Sequence, residues 1–168
     1  MYDSIYNEAQ DALPSRAYTV YPSLLCRLFY LWRIMLIKFQ KNDTTQLSPH
    51  FTADEFSCSC NNCVDNFIDD VLLEKLEEVR VAIGPIKVTS GYRCPQHNKD
   101  IGGAPSSSHM AGLAVDIQPI PLNVDSLDKL YEKCLQVFDN IGDGRPKRFV
   151  HVDVRPAKPN GVKRKWVY

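Results

Sequence analysis

The 168-residue chain carries 20 Lys plus Arg against 20 Asp plus Glu, so its formal charge is zero and no overall field is available to hold nucleic acid or an anionic membrane. A hydrophobic share of 44% and a charged share of 24% lie near globular averages and exclude a wholly disordered chain. The length suits one domain with an appendage and is short for two independent folds.

Residues 1–20 are acidic and polar, without the basic-then-apolar order of a standard signal peptide. Residues 24–37 (LLCRLFYLWRIMLI) are strongly apolar but carry Arg27 and Arg33. A spanning helix needs about 20 apolar residues. This stretch therefore reads as an amphipathic or membrane-surface helix, or one packed on the domain or a partner, suited to weak membrane or protein association. The polar, turn-rich stretch 41–48 (KNDTTQLS) marks a boundary between an N-terminal extension, 1–46, and a domain, 47–168.

Residues 69–83 (DDVLLEKLEEVRVAI) place apolar side chains at helical spacing and run into Gly84-Pro85, which predicts a helix ending there. Residues 86–90 (IKVTS) predict a short strand that delivers Gly91, Tyr92 and Arg93 to a loop. Pro95 opens a short helix closed by Gly102-Gly103, and residues 104–110 (APSSSHM) read as a small-residue loop. Residues 113–118 (LAVDIQ) predict a compact apolar strand with Asp116 in its middle, an acid that needs a partner. Residues 125–140 predict a second amphipathic helix, and 142–144 (GDG) a turn. In 148–154 (RFVHVDV), Phe149, His151 and Asp153 alternate with Val150, Val152 and Val154, so the polar groups share one face of a strand. The basic tail, 158–165, reads as a solvated charge run with Trp166 packing at its end. Together these elements predict an α+β domain, mostly antiparallel sheet with helices packed on one side.

The six cysteines are Cys26, Cys58, Cys60, Cys63, Cys94 and Cys134, three of them within 58–63 (CSCNNC). Disulfides or free thiols are the first reading of this cluster and a structural metal the second. Tetrahedral zinc takes four ligands and only three are local, with Cys94 the obvious fourth partner.

A catalytic zinc site takes three ligands of the His and carboxylate type and keeps one position open. His109, Asp116 and His151 supply such a set, and the small Gly112 and Ala114 let the chain turn close to a metal. Singly, a strand His is more often a satisfied polar residue than a ligand, and an Asp in an apolar strand is usually paired. The joint spacing alters that weighing. Residues 107–116 (SSHMAGLAVD) fit S-x-H-x-x-G-x-A-x-D and are followed by His151-Val152-Asp153.

This pattern resembles the zinc D-alanyl-D-alanine carboxypeptidase family, whose relatives include phage endolysin peptidases, murein endopeptidases and the amino-terminal domain of hedgehog proteins. Residues 90–98 (SGYRCPQHN), 101–103 (IGG) and 47–56 (LSPHFTADEF), with the cysteine cluster, resemble its phage-associated branch. The resemblance covers about residues 47–156 and leaves 1–46 unaccounted for.

The resemblance implies a hedgehog-like or D-Ala-D-Ala-peptidase-like fold and one catalytic zinc ion on His109, Asp116 and His151, which acidifies a water and polarises the scissile carbonyl. It implies peptidoglycan stem or cross-bridge peptides as partners, the bacterial cell wall as the place of action, and a carboxypeptidase or endopeptidase cut. Arg93 is placed over the substrate, with an ion pair to Asp116 as its alternative. Ser107 becomes a substrate-positioning group, with a loop N-cap as its alternative, and Tyr92 either lines the cleft or packs in the core.

Several relatives carry a Glu or Asp two to four residues before the last His, or a second His two before it, where this chain has Phe149, Arg148 and Lys147. Asp153, about 7 Å beyond His151 along the strand, is then the preferred general base. The alternative gives Asp153 only the orientation of His151 and leaves the base to Asp139, Asp143 or solvent. His50 and His97 read as structural. Two functions compete with the peptidase: a zinc-shaped interaction module without turnover, and a phage structural scaffold.

Overall fold

In the computed structural model, which describes residues 35–60, 62–156 and 163–168, nine strands and three helices follow in order among the described residues. They are β1 (Leu36–Gln40), β2 (Gln46–Ser48), β3 (Phe51–Thr52), β4 (Asp65–Asp69), α1 (Asp70–Ile83), β5 (Ile86–Ser90), α2 (Pro95–Asp100), β6 (Ala114–Pro119), α3 (Val124–Val137), β7 (Asn140–Gly144), β8 (Phe149–Asp153) and β9 (Arg164–Val167). The readings of residues 1–34, including Cys26, and of 157–162 lie outside the described residues.

The helical periodicity of 69–83 becomes α1, and its first residue is the cap. The Asp69 carboxylate accepts from the backbone N–H groups of Val71 and Leu72 at 3.0 and 3.2 Å. That satisfies two of the donors a helix start leaves open, and Gly84 at φ 93° ends the helix. Leu72, Leu73, Leu76 and Val79 form its buried stripe. Helix α3 buries Leu127, Leu130, Cys134 and Val137 in the same way, and the two helices pack on each other.

The central sheet has the order β5-β6-β8-β7-β9, antiparallel throughout except for the parallel pair β7–β9. Side chains alternate across it. Val115, Ile117, Ile141, Val150 and Val152 join Leu76 and Leu130 in the core, where truncating one large aliphatic costs about 2–5 kcal/mol. Asp116, His151 and Asp153 take the other parity and leave the opposite face polar. The domain is α+β, with α3 packed against β6, β7 and β8.

Five expectations are corrected. Residues 36–40, whose start falls in the apolar stretch read as a helix, are strand β1, which pairs antiparallel with β4. Phe39 is buried in the core, so packed structure begins before residue 47. The stretch Gly142-Asp143-Gly144 is not a turn but part of β7, since α3 stops at Val137. The loop at 104–110 runs into a 3-10 turn, Ser108–Ala111. The end of the basic tail, read as a solvated charge run, pairs in parallel with β7 as β9. Among the described residues no helix is long and apolar enough to cross a membrane.

Candidate metal centre

One row of residues crosses the sheet. A bulge between Val88 and Ser90 in β5 brings Ser90 opposite Asp116, which pairs with His151, which pairs with Gly142, which pairs with Trp166. Asp116 and His151 are therefore neighbours on adjacent strands, pointing to the same face. His109 arrives from the 3-10 turn before β6. That turn closes at Gly112, whose φ of 70° suits a residue without Cβ.

The three side chains converge. His151 Nδ1 lies 2.8 Å from Asp116 Oδ1 and 3.2 Å from His109 Nε2, and His109 Nε2 lies 3.4 Å from Asp116 Oδ1. All three residues are buried. Each outward-facing atom has its own partner. His109 Nδ1 is 2.8 Å from the Gly91 carbonyl, which accepts its proton and leaves the lone pair on Nε2. His151 Nε2 is 3.5 Å from Asp153 Oδ2, on the far side of the ring from Asp116. Asp116 Oδ2 accepts from Arg93 Nη2 at 2.6 Å.

With both outward nitrogens protonated, two imidazole lone pairs and one carboxylate oxygen face a common point. A cation reconciles such a set. Zinc bonds of about 2.0–2.1 Å give a tetrahedral edge of about 3.3 Å, close to the 3.2 and 3.4 Å separations here. The donor set fits a zinc ion, and His109, Asp116 and His151 are the residues that could hold it. Electrostatics agrees. Burial works to raise the Asp116 pKa, but hydrogen bonds and charge from His109 and His151 outweigh it and hold the carboxyl well below its ordinary range. Burial likewise disfavours charged His151, yet Asp116 and Asp153 pull its pKa upward.

Asp153, the general base preferred from the sequence, sits behind His151, away from the donor triangle. Asp153 is fully buried, and Arg155 clamps it with Nη2 at 2.6 Å and its backbone N–H at 3.0 Å. A carboxylate on the remote nitrogen of a ligand histidine fixes the tautomer and the ring. This geometry suits Asp153 to positioning His151. Asp143, the alternative, sits opposite Val150 and is bound to Arg145 at 2.7 Å, while Asp139 pairs with Lys163 at 3.3 Å.

The fold brings Arg93 to the donor set, braced by Ser90 Oγ at 2.8 Å. Tyr92 packs edge-on against Phe67 with centroids 5.4 Å apart. Ser107 stands at the N-cap of the His109 turn without a side-chain cap bond and is not part of the donor set. His50 is held by Glu77 at 2.7 Å, and the His97 backbone N–H donates to Cys94 Sγ at the start of α2; neither belongs to the donor set.

Sequence reasoning missed Arg155, Trp166 and Tyr168. The signal for Arg155 was its spacing of two from Asp153 on a strand. Trp166 and Tyr168 lie against the His151 ring, with centroids at 5.2 and 5.8 Å, and wall one side of the site.

The sequence model of the family described as Peptidase M15 matches residues 49–153, a span containing all three donors and Arg93. A search of curated proteins finds no match.

Proposed function

Because that match spans well over half of the sequence, the chain belongs to the Peptidase M15 family, a family of zinc-dependent metallopeptidases, and on that premise we propose that it cuts peptide bonds in the stem or cross-bridge peptides of bacterial peptidoglycan. The observation that carries the reading is the donor triangle of His109, Asp116 and His151, with each outer atom separately held. A zinc ion bound there supplies Lewis acidity, lowering the pKa of a water and polarising the carbonyl to be attacked.

The chain's own residues do the rest. Gly91 and Asp153 hold the two imidazoles in the tautomers that direct Nε2 of His109 and Nδ1 of His151 inward. Arg93 neutralises the outer oxygen of Asp116 and sets a guanidinium beside the reaction centre. There it grips a substrate carboxylate or the oxyanion that develops at the carbonyl. Trp166 and Tyr168 cover the His151 ring and keep bulk water from its edge. The resemblance of 47–56, 90–98 and 101–103 to the phage-associated branch supports a reading in which the activity serves lysis or entry at the cell wall.

A second reading has one observation in its favour. Asp153 is sequestered by Arg155, and the residues before His151 are Phe149, Arg148 and Lys147 where several relatives carry a proton acceptor. A zinc-shaped binding module without turnover would need no such acceptor.

Purified peptidoglycan incubated with the zinc-loaded chain separates these readings. Mass spectrometry of the released fragments is expected to show severed stem or cross-bridge peptides. Free terminal D-alanine would identify a carboxypeptidase, and opened cross-links an endopeptidase. Zinc-loaded protein that binds peptidoglycan and leaves every peptide intact would replace the peptidase with the binding module.

A further inference from the structure

A second convergence of ligand atoms lies away from the donor triangle. Cys60 Sγ is 3.4 Å from Cys58 Sγ, 3.3 Å from Cys63 Sγ and 3.6 Å from Cys94 Sγ. A disulfide bond is about 2.0 Å long, so these sulfurs are separate thiols. A tetrahedron built on zinc–sulfur bonds of about 2.3 Å has edges of about 3.8 Å, and three edges of this cluster fall just inside that length. Two disulfides would pair the sulfurs two by two; here Cys60 stands close to all three others.

Backbone donors face two of the four sulfurs. The Cys94 backbone N–H donates to Cys58 Sγ and the His97 backbone N–H to Cys94 Sγ, each at 3.4 Å. Such donors favour the charged form of sulfur. The Lys41 ammonium, bound to the Cys60 carbonyl, places a positive charge beside the cluster. Asn66 accepts from the Cys58 N–H at 2.7 Å and fixes the start of the segment.

We propose that Cys58, Cys60, Cys63 and Cys94 bind a second zinc ion, a structural one closed by four sulfurs. The four residues offer one ligand atom each and come from two stretches far apart in sequence. The ion staples segment 58–63 to the residue that follows Arg93. It thereby fixes the loop from which Arg93 reaches Asp116. Loading displaces the thiol protons, so this site empties more readily as pH falls.

Zinc counting and cobalt substitution on the full chain, prepared under reducing conditions, test this independently of the peptidase reading. Native mass spectrometry with added zinc is expected to give two ions per chain for the wild type and one for His151→Ala. Cobalt(II) in place of zinc is expected to show a sulfur-to-cobalt charge-transfer band that survives His151→Ala and is lost in Cys60→Ser. Should Cys60→Ser fail to fold, the wild-type and His151→Ala spectra decide alone. A wild type with one ion and no such band would overturn the proposal. So would a denatured mass lighter by two hydrogens for each of two disulfides.

Discussion

Asp153 stands behind His151: its Oδ2 is 3.5 Å from Nε2, while Nδ1 on the other side of the ring faces Asp116 at 2.8 Å. A carboxylate so placed governs how well the imidazole serves a metal. Asp153→Asn is therefore expected to weaken zinc binding about 10–100-fold and to recover most turnover at saturating zinc. Competition with a chelator measures the first and a peptidase assay across zinc concentrations the second. Unchanged zinc affinity with turnover lost at saturation would mean that Asp153 moves the proton itself.

Arg93 touches the same centre from the opposite side, donating to Asp116 Oδ2 at 2.6 Å and to Ser90 Oγ at 2.8 Å. Lysine keeps the charge and loses the planar fork that serves both. Arg93→Lys is expected to retain zinc and to lower kcat about a hundredfold or more, the scale seen for a lost oxyanion donor. Full activity in the variant would reduce Arg93 to an ion-pair partner.

Gly91 supplies the carbonyl that holds His109, and it does so pressed against the backbone of Phe56. A Cβ at residue 91 would lie 2.4 Å from the Phe56 carbonyl oxygen, closer than atoms approach. Gly91→Ala must push the loop away. A loss of about 1–3 kcal/mol in stability and weaker zinc binding are expected together, read by thermal unfolding with and without added zinc. Stability lost without any change in zinc affinity would show that the loop can move and keep its grip on His109.

Glu77 ties the β2–β3 turn to α1 by accepting from Ser48 Oγ and the His50 N–H, with the His50 ring 2.7 Å away. Burial would raise its pKa, but these bonds outweigh it and hold it below the usual glutamate range. A lowered folded pKa means stability that is present above the unfolded value, about 4.3, and lost as pH falls through the folded one. Glu77→Gln is expected to cost about 1–3 kcal/mol at pH 7 and progressively less below about pH 4. Denaturant midpoints of both proteins across that range check the sign. A gap that widens in acid would reverse it.

The parts of the fold legible in the sequence are those where one period dominates. The three-to-four spacing of 69–83 became α1 with the capping Asp69 at its start, and the alternation of 149–153 put His151 and Asp153 on one face. The parts that were not legible depend on distant partners. Residues 36–40 continue an apolar run that suits a helix, and only β4, beginning 25 positions after Gln40 at Asp65, makes them a strand. Gly142 and Gly144 carry the composition of a turn, yet the bareness of Gly142 is what lets Trp166 and Tyr168 lie against the sheet. The metal donors stood out because their spacing is set by chemistry. The place of Asp153 behind His151 was not legible because a distance along a strand says nothing of which ring nitrogen a neighbour meets.

The most direct measurement compares wild type with His151→Ala for bound zinc and for release of new amino groups from purified peptidoglycan. His151→Ala is expected to bind one zinc fewer than the wild type and to release no amino groups above the protein-free background. Release at the wild-type rate by the zinc-depleted variant would contradict a peptidase centre built on His109, Asp116 and His151.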